Sequence, residues 1–335
     1  MRRFGRPVAA AVAVAGLVGL GLLAVPAGAG AQSELPPVTP EELVRSVLEA
    51  KPGPFAGTVE AENALGLPAL PGLPAAAADG TSTARVWAGD ERQGRVQLPT
   101  SDSERTFVTD GATFWTWDSD TREVTTGSRA AQPGRGPAVD PATAAGELID
   151  RLGGSSTLAV DGTAEVAGRP AYELVLAPQP TERTLLREIR IAVDAEKRMP
   201  LRLVVLANGS PDPALRIGFT DVAFGPQDPA LFTFTPPPGS TVRTAPAERP
   251  GNRRGAPNAQ VRTVGDGWDA VHVAERGAQA PGNIPDLDRI GTRVSGPWGS
   301  GRLITSVVGS VLVTDDGRIA AGAVPEQVLT EALTR

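Results

Sequence analysis

Histidine, cysteine and paired carboxylates are the usual raw material of catalytic and metal chemistry, and this sequence offers little of it. His272 is the only histidine, and there is no cysteine. A disulfide, a thiolate metal site, a cysteine nucleophile and a lipid-modified N-terminal cysteine are therefore excluded. His272 stands between Val271 and Val273 in an apolar strand pattern and reads as a structural residue. No Gly-x-Ser-x-Gly turn is present to carry a serine nucleophile. Asp315-Asp316-Gly317 could be read as paired acids, but Asp and Gly at the junction of two strand patterns read better as a hairpin turn. Gly299-Ser300-Gly301-Arg302 could offer amides to an anion, yet no Walker A or dinucleotide pattern accompanies it. The expectation is a chain with no catalytic residue, no cofactor and no metal.

What remains is apolar patterning. Trp115 and Trp117 alternate along one strand face with Phe114 on the other, and Trp87 is nearby. Such aromatics are either core or the wall of an apolar ligand cavity. Leu174 and Leu176 share a face with Tyr172, Ile189 and Ile191 share one with Val193, and Leu201 and Leu203 share one with Val205. The opposite faces carry Glu173, Arg190, Asp194 and Arg202. Period-two alternation with one apolar face describes a sheet covered on one side, so something apolar must lie there. Trp115, Trp117, Leu174, Leu176, Ile189, Ile191, Leu201 and Leu203 are accordingly the candidate lining of a lipid cavity.

These residues need strands, and the pattern supplies them. Thr39-Pro40-Glu41-Glu42 is a capping box opening a helix to about residue 50. Strands are expected at 55–61, 84–88, 92–98, 104–109, 113–117 and 123–125, with Asp110-Gly111 and Asp118-Ser119-Asp120 as turns. A Leu/Pro/Ala/Gly insert occupies 63–80, and a second helix is expected over 140–152. A second meander follows at 158–166, 171–176, 187–193, 200–206 and 214–224, and the Pro-rich strand 232–239 closes the domain. Residues 244–258 are a Pro/Arg/Gly linker. Beyond it a small α+β unit spans 259–335. Strands are expected there at 268–274, 302–306, 310–314 and 318–323, with helices at 283–290 and 325–333.

The chain has 335 residues, 41% of them hydrophobic, enough for two domains. Its net charge is −6, and Lys51 and Lys197 are the only lysines, so nucleic acid is not an expected partner. Arg2, Arg3 and Arg6 precede an apolar run and two small-x-small sites at Ala27-Gly28-Ala29 and Ala29-Gly30-Ala31. Residues 1–31 thus read as an export signal, either cleaved or retained as an anchor.

Three motifs carry a family resemblance. Gly168-Arg169-Pro170-Ala171-Tyr172-Glu173-Leu174 is one. The hairpin Ile189-Arg190-Ile191-Ala192-Val193-Asp194 with Met199-Pro200-Leu201-Arg202-Leu203 is the second. Phe232-Thr233-Phe234-Thr235-Pro236-Pro237 with Gly239 is the third. Together they resemble the LolA/RseB (MucB) superfamily over about residues 40–243, and Trp298-Gly299-Ser300-Gly301-Arg302 before a hairpin is similar to exported actinobacterial LolA-like proteins. The resemblance implies a curved antiparallel half-barrel (32–243) closed by helices around an apolar cavity, with the 63–80 loop as part of a lid. It implies a non-enzymatic envelope protein that binds lipid or lipoprotein acyl chains. The alternative it leaves open is an RseB/MucB-like regulator whose C-terminal domain binds an anti-sigma factor or another membrane protein partner. The protein is expected on the extracytoplasmic face of the membrane or secreted. N-terminal sequencing of the exported protein is expected to start near Gly30 or Gln32. An intact Met1 on membrane-bound protein would establish the anchor instead.

Overall fold

The computed structural model describes residues 35–66, 79–90, 92–100, 102–128, 149, 151–245, 261–274 and 291–334. The export segment, most of the 63–80 insert, most of the 140–152 helix, nearly all of the linker and the 283–290 helix lie outside the described residues. Among those described, no helix is long and apolar enough to cross a membrane.

The capping box forms as written. Thr39 accepts from the Glu42 amide, Glu42 accepts from the Thr39 amide, and α1 runs Pro40–Glu49 with Leu43 and Val47 buried. Twelve strands then form one open sheet. They are β1 (Phe55–Asn63), β2 (Gly80–Ala88), β3 (Gly94–Pro99), β4 (Glu104–Thr109), β5 (Thr113–Asp118), β6 (Glu123–Ser128), β7 (Ser156–Val166), β8 (Arg169–Pro178), β9 (Leu186–Asp194), β10 (Pro200–Ala207), β11 (Pro213–Phe224) and β12 (Thr241–Thr244). The order β12-β6-β5-β4-β3-β2-β1-β11-β10-β9-β8-β7 is two meanders joined where β1 pairs with β11. The sheet is not closed into a barrel.

Turn chemistry explains the short connections. Ala167 (φ 51°) and Gly168 (φ 71°) form the two-residue loop between Val166 and Arg169, the mirror-image turn that matches strand twist. Asp110 and Asp118 each use one carboxylate oxygen to hold two amides of the next turn.

The expected closing strand differs. Residues 232–239 are not a strand, since Pro236, Pro237 and Pro238 lack the ladder donors. Phe232 ends a short 3₁₀ turn and is buried against Gly89, where a Cβ would come within 2.6 Å of the ring. The segment crosses the sheet, held by Arg95 Nη1 to Leu231 O (3.4 Å) and Arg122 Nη2 to Pro238 O (2.8 Å). It then delivers β12, which pairs with β6 in parallel, an exception to the antiparallel expectation.

Register shows which residues share a face. Ile191 pairs with Leu203, Leu203 with Ile217, and Ile217 with Ala61. Along the other half Val86 pairs with Val96, Val96 with Phe107, and Phe107 with Thr116. Directly opposed residues point the same way, so one continuous face runs across both meanders. Under α1 this face is filled by Leu174, Leu176, Ile189, Ile191 and Leu203 with Leu43, Val47, Ile149 and Leu152. The reverse side is not simply polar at this end. Ala171, Ala192 and Asp194 are fully buried there, so the β8–β9 hairpin is covered on both sides.

Asp194 anchors that hairpin. Its carboxylate takes Arg169 Nε and Nη2 (the latter at 3.2 Å) and the amides of Glu196 (2.9 Å) and Lys197 (2.6 Å). Arg169 also reaches Glu196 and lies over the Phe224 ring.

A second sheet comprises β13 (Val261–Val264), β14 (Val271–Ala274), β15 (Thr292–Gly296), β16 (Gly299–Thr305), β17 (Ser310–Thr314) and β18 (Ile319–Gly322), ordered β13-β14-β18-β17-β16-β15. α2 (Glu326–Thr334) packs Val328, Leu329, Ala332 and Leu333 against it. β13 and β15 are edge strands that the spacing does not announce. Trp268 begins the expected strand but lies in a 3₁₀ turn ahead of β14, and its side chain packs into the core of the first sheet. Its indole N–H donates to Ser156 Oγ (2.8 Å), and the Trp268 and Asp269 amides donate to Glu182 (2.9 and 3.1 Å). Gly267 has φ 66°, and a Cβ there would fall 2.4 Å from Ser155 Oγ, so only glycine fits this seam. Leu185 N–H to Ala323 O (2.9 Å) and the Arg183–Glu331 pair complete it.

Burial alone would raise the Asp194 pKa, but Arg169 and the two turn amides outweigh it and hold it below the usual carboxylate value. A depressed folded-state pKa means stability that is present above about pH 4 and lost as pH falls through the folded value. Asp194→Asn is expected to cost on the order of 3 kcal/mol at pH 7, because it removes the buried carboxylate from Arg169 and leaves only the exposed Glu196 to balance it. Urea midpoints at pH 7 and pH 3 check this, and the gap between parent and variant should narrow at the lower pH.

Candidate apolar ligand site

The eight candidate cavity residues fall into three places. Leu174, Leu176, Ile189, Ile191 and Leu203 are each at most 2% exposed and are packed beneath α1. Leu201 is separated from Leu203. A β-bulge lies between the Pro200 and Arg202 pairings with β9, and Leu201 packs in a second cluster with Phe55, Val59 and Phe219. Trp115 and Trp117 pair with Val108 and Val124 on the reverse face, the side that the 228–240 segment crosses. These eight residues do not come together around one space.

The space lies at the other end of the same continuous face. A cleft of about 490 Å³ opens over β3 to β6. Leu98, Phe107 and Phe114 supply its apolar surface, and Trp117 borders it. Phe107 and Phe114 lie nearly parallel, with ring centroids 6.3 Å apart. Thr116 and Thr125, directly opposed across β5 and β6, bring hydroxyls. The size falls within the roughly 300–1,000 Å³ typical of small-molecule sites.

The charges at the cleft are paired. Arg105 Nε donates to Asp118 Oδ2 at 2.9 Å, and Arg243 Nη2 lies 2.6 Å from Glu123 Oε1. Asp118 is partly desolvated, which would raise its pKa, but the Thr121 and Asp120 amides and Arg105 hold it below the usual carboxylate value. The carboxylate therefore stays ionised and committed to Arg105 and its own turn.

The motifs weighed for chemistry take structural places. His272 is exposed on β14, with Nδ1 3.1 Å from Thr263 Oγ1. Asp315 pairs with Arg293 through two bonds (2.8 and 2.6 Å). Asp316 turns the β17–β18 hairpin, and Thr314 and Arg318 lower its pKa to about 2. Gly301 lies within β16, where a Cβ would fall 2.5 Å from Val313 O, so strand packing explains this glycine. Among the described residues no group of three or more His, Cys, Asp or Glu could hold a metal ion.

Sequence reasoning placed Phe114 opposite the tryptophans but passed over Leu98, Phe107, Thr116 and Thr125. Their alternation was visible. What was not visible was the register that sets Val96, Phe107, Thr116 and Thr125 in one row.

No protein-family model matches the chain, and no curated protein matches it. Solved structures do. MucB is 19% identical with a TM-score of 0.43, over 88% of this chain and 95% of that one. The MucA/MucB complex of Pseudomonas aeruginosa is 17% identical with a TM-score of 0.39, over 87% and 94%. A LolA-superfamily protein of Nitrosomonas europaea is 11% identical with a TM-score of 0.26, over 59% and 99%.

A packed core and an open cleft answer the same substitution differently. Leu203→Trp is expected to lose about 1–3 kcal/mol by overpacking. Thr116→Trp, which adds an indole over the cleft, is expected to shift the urea midpoint little. Equal losses for the two variants would mean that the cleft is not free volume.

Proposed function

We propose that the protein is an exported, non-enzymatic binding protein of LolA/RseB type that takes lipid or lipoprotein acyl chains into the β3–β6 cleft. The observation that supports this most is the cleft itself. It lies on the same sheet face as the core, at the end that α1 and Trp268 leave open, and its floor is Leu98, Phe107 and Phe114. Each methylene that leaves water for such a surface contributes ~0.8 kcal/mol, so about ten buried carbons supply on the order of 8 kcal/mol before the cost of association. The mechanism is passive, with no bond made or broken. In this reading Trp117 remains at the cavity rim, while Leu174, Leu176, Ile189, Ile191 and Leu203 form the rigid floor on which α1 rests. Residues 1–31, read as an export signal or anchor, support an extracytoplasmic location, and in this reading residues 32–243 and 259–335 act as the binding domain and an appended unit.

The second reading is an RseB/MucB-like regulator that binds an anti-sigma factor or another membrane partner. The second sheet favours it, because among the described residues no strand pairs with the outer edge of β15 and most of that strand is exposed, a form suited to adding a partner strand.

Mass spectrometry of an organic extract of purified full-length protein separates the two. A lipid recovered near one per chain, and lost on Thr116→Trp, is the expected result. No lipid in the extract, together with no uptake of added acyl chains, would remove the carrier reading and leave the regulatory one.

A further inference from the structure

The charges around the cleft carry an inference about what its ligand looks like at the polar end. This rests on the cleft being the acyl-chain site. Three charged residues line it, Arg105, Asp118 and Glu123. Each has a partner. Arg105 is bound to Asp118, and Glu123 to Arg243. Asp118 is committed further, since its second oxygen holds the amides of Asp120 (3.0 Å) and Thr121 (3.2 Å). The set, with Arg243, sums to zero. The remaining side-chain polar lining is hydroxyl, from Thr116, Thr121 and Thr125, while the buried Thr106 hydroxyl donates to Glu104 (2.6 Å).

An ionised carboxylate or phosphate entering beside the phenylalanines would lose water and gain no uncommitted cation from this lining, which is unfavourable. Arg105 uses only Nε toward Asp118, so an anion could reach its Nη donors, but it would then lie beside the Asp118 carboxylate that already balances this charge. A hydroxylated or ester end group meets no such conflict. It needs only donors and acceptors, which the threonines offer. We infer that the cleft selects acyl ligands whose polar end is uncharged, of the acylglycerol or glycolipid kind, over free fatty acids and other anionic amphiphiles, because its cations are already paired.

Binding of monopalmitoylglycerol and of palmitate to the full-length protein, each titrated below its micelle concentration at pH 9, tests this. The two probes share a chain and differ at the polar end. Monopalmitoylglycerol is expected to bind at least tenfold more tightly than palmitate. Asp118→Asn retains an oxygen for the turn amides but removes the charge that neutralises Arg105, and it is expected to raise palmitate affinity about tenfold. Arg105→Gln leaves Asp118 as an unmatched anion and is expected to weaken palmitate binding further. Palmitate binding as tightly as monopalmitoylglycerol to the parent protein, or unaltered palmitate affinity in both variants, overturns the selectivity while the acyl-binding function stands. No binding of either probe overturns the acyl-binding function and the selectivity with it.

Discussion

A sheet of twelve strands with one continuous face has to bury the apolar part of that face, and among the described residues the cover is uneven along its width. α1, Ile149, Leu152 and the Trp268 side chain fill the β7–β10 end. Over β3–β6 the same row of side chains continues through Val96 and Phe107 and then meets a cleft. The functional reading depends on this inequality. Had the cover been complete, the whole face would be ordinary core. Had it been absent, the exposed apolar area would exceed what soluble monomers usually tolerate.

The reverse face is handled by another device. The 228–240 segment leaves β11, seats Phe232 at Gly89, crosses by way of Arg95 and Arg122, and ends as a parallel strand beside β6. It holds the far end of the sheet from behind, so the cleft in front can stay open without the strands losing their support. The second sheet acts at the opposite end. Glu182 takes the amides at Trp268 and Asp269, and the indole enters the core under α1, so the two sheets share a core residue as well as an interface.

Four aspartates do recurrent polar work at turns. Asp110, Asp118, Asp194 and Asp316 all stand at hairpin ends and bind backbone amides or hydroxyls there. Three of the four also pair with an arginine: Asp118 with Arg105, Asp194 with Arg169 and Asp316 with Arg318. These aspartates are thus committed to architecture, and the charged residues at the cleft, Arg105, Asp118 and Glu123, are each paired, beside apolar and hydroxyl side chains.

Much of this was legible in the residues themselves. Period-two alternation and turn dipeptides mark β4 and β17 to the residue and most other strands of both sheets to within a few, and the capping box marks the start of α1, because these features are decided by neighbours two to four positions apart. Cysteine and histidine counts likewise bound the chemistry. Only the tertiary structure decided which rows of side chains face one another. A bulge at Leu201 moves it away from Leu203, register puts Trp115 and Trp117 on the reverse face, and Trp268 leaves its own sheet for another core. The cleft belongs to the same class. Leu98, Phe107 and Phe114 come from three strands, and their meeting depends on pairings between segments that no local pattern encodes.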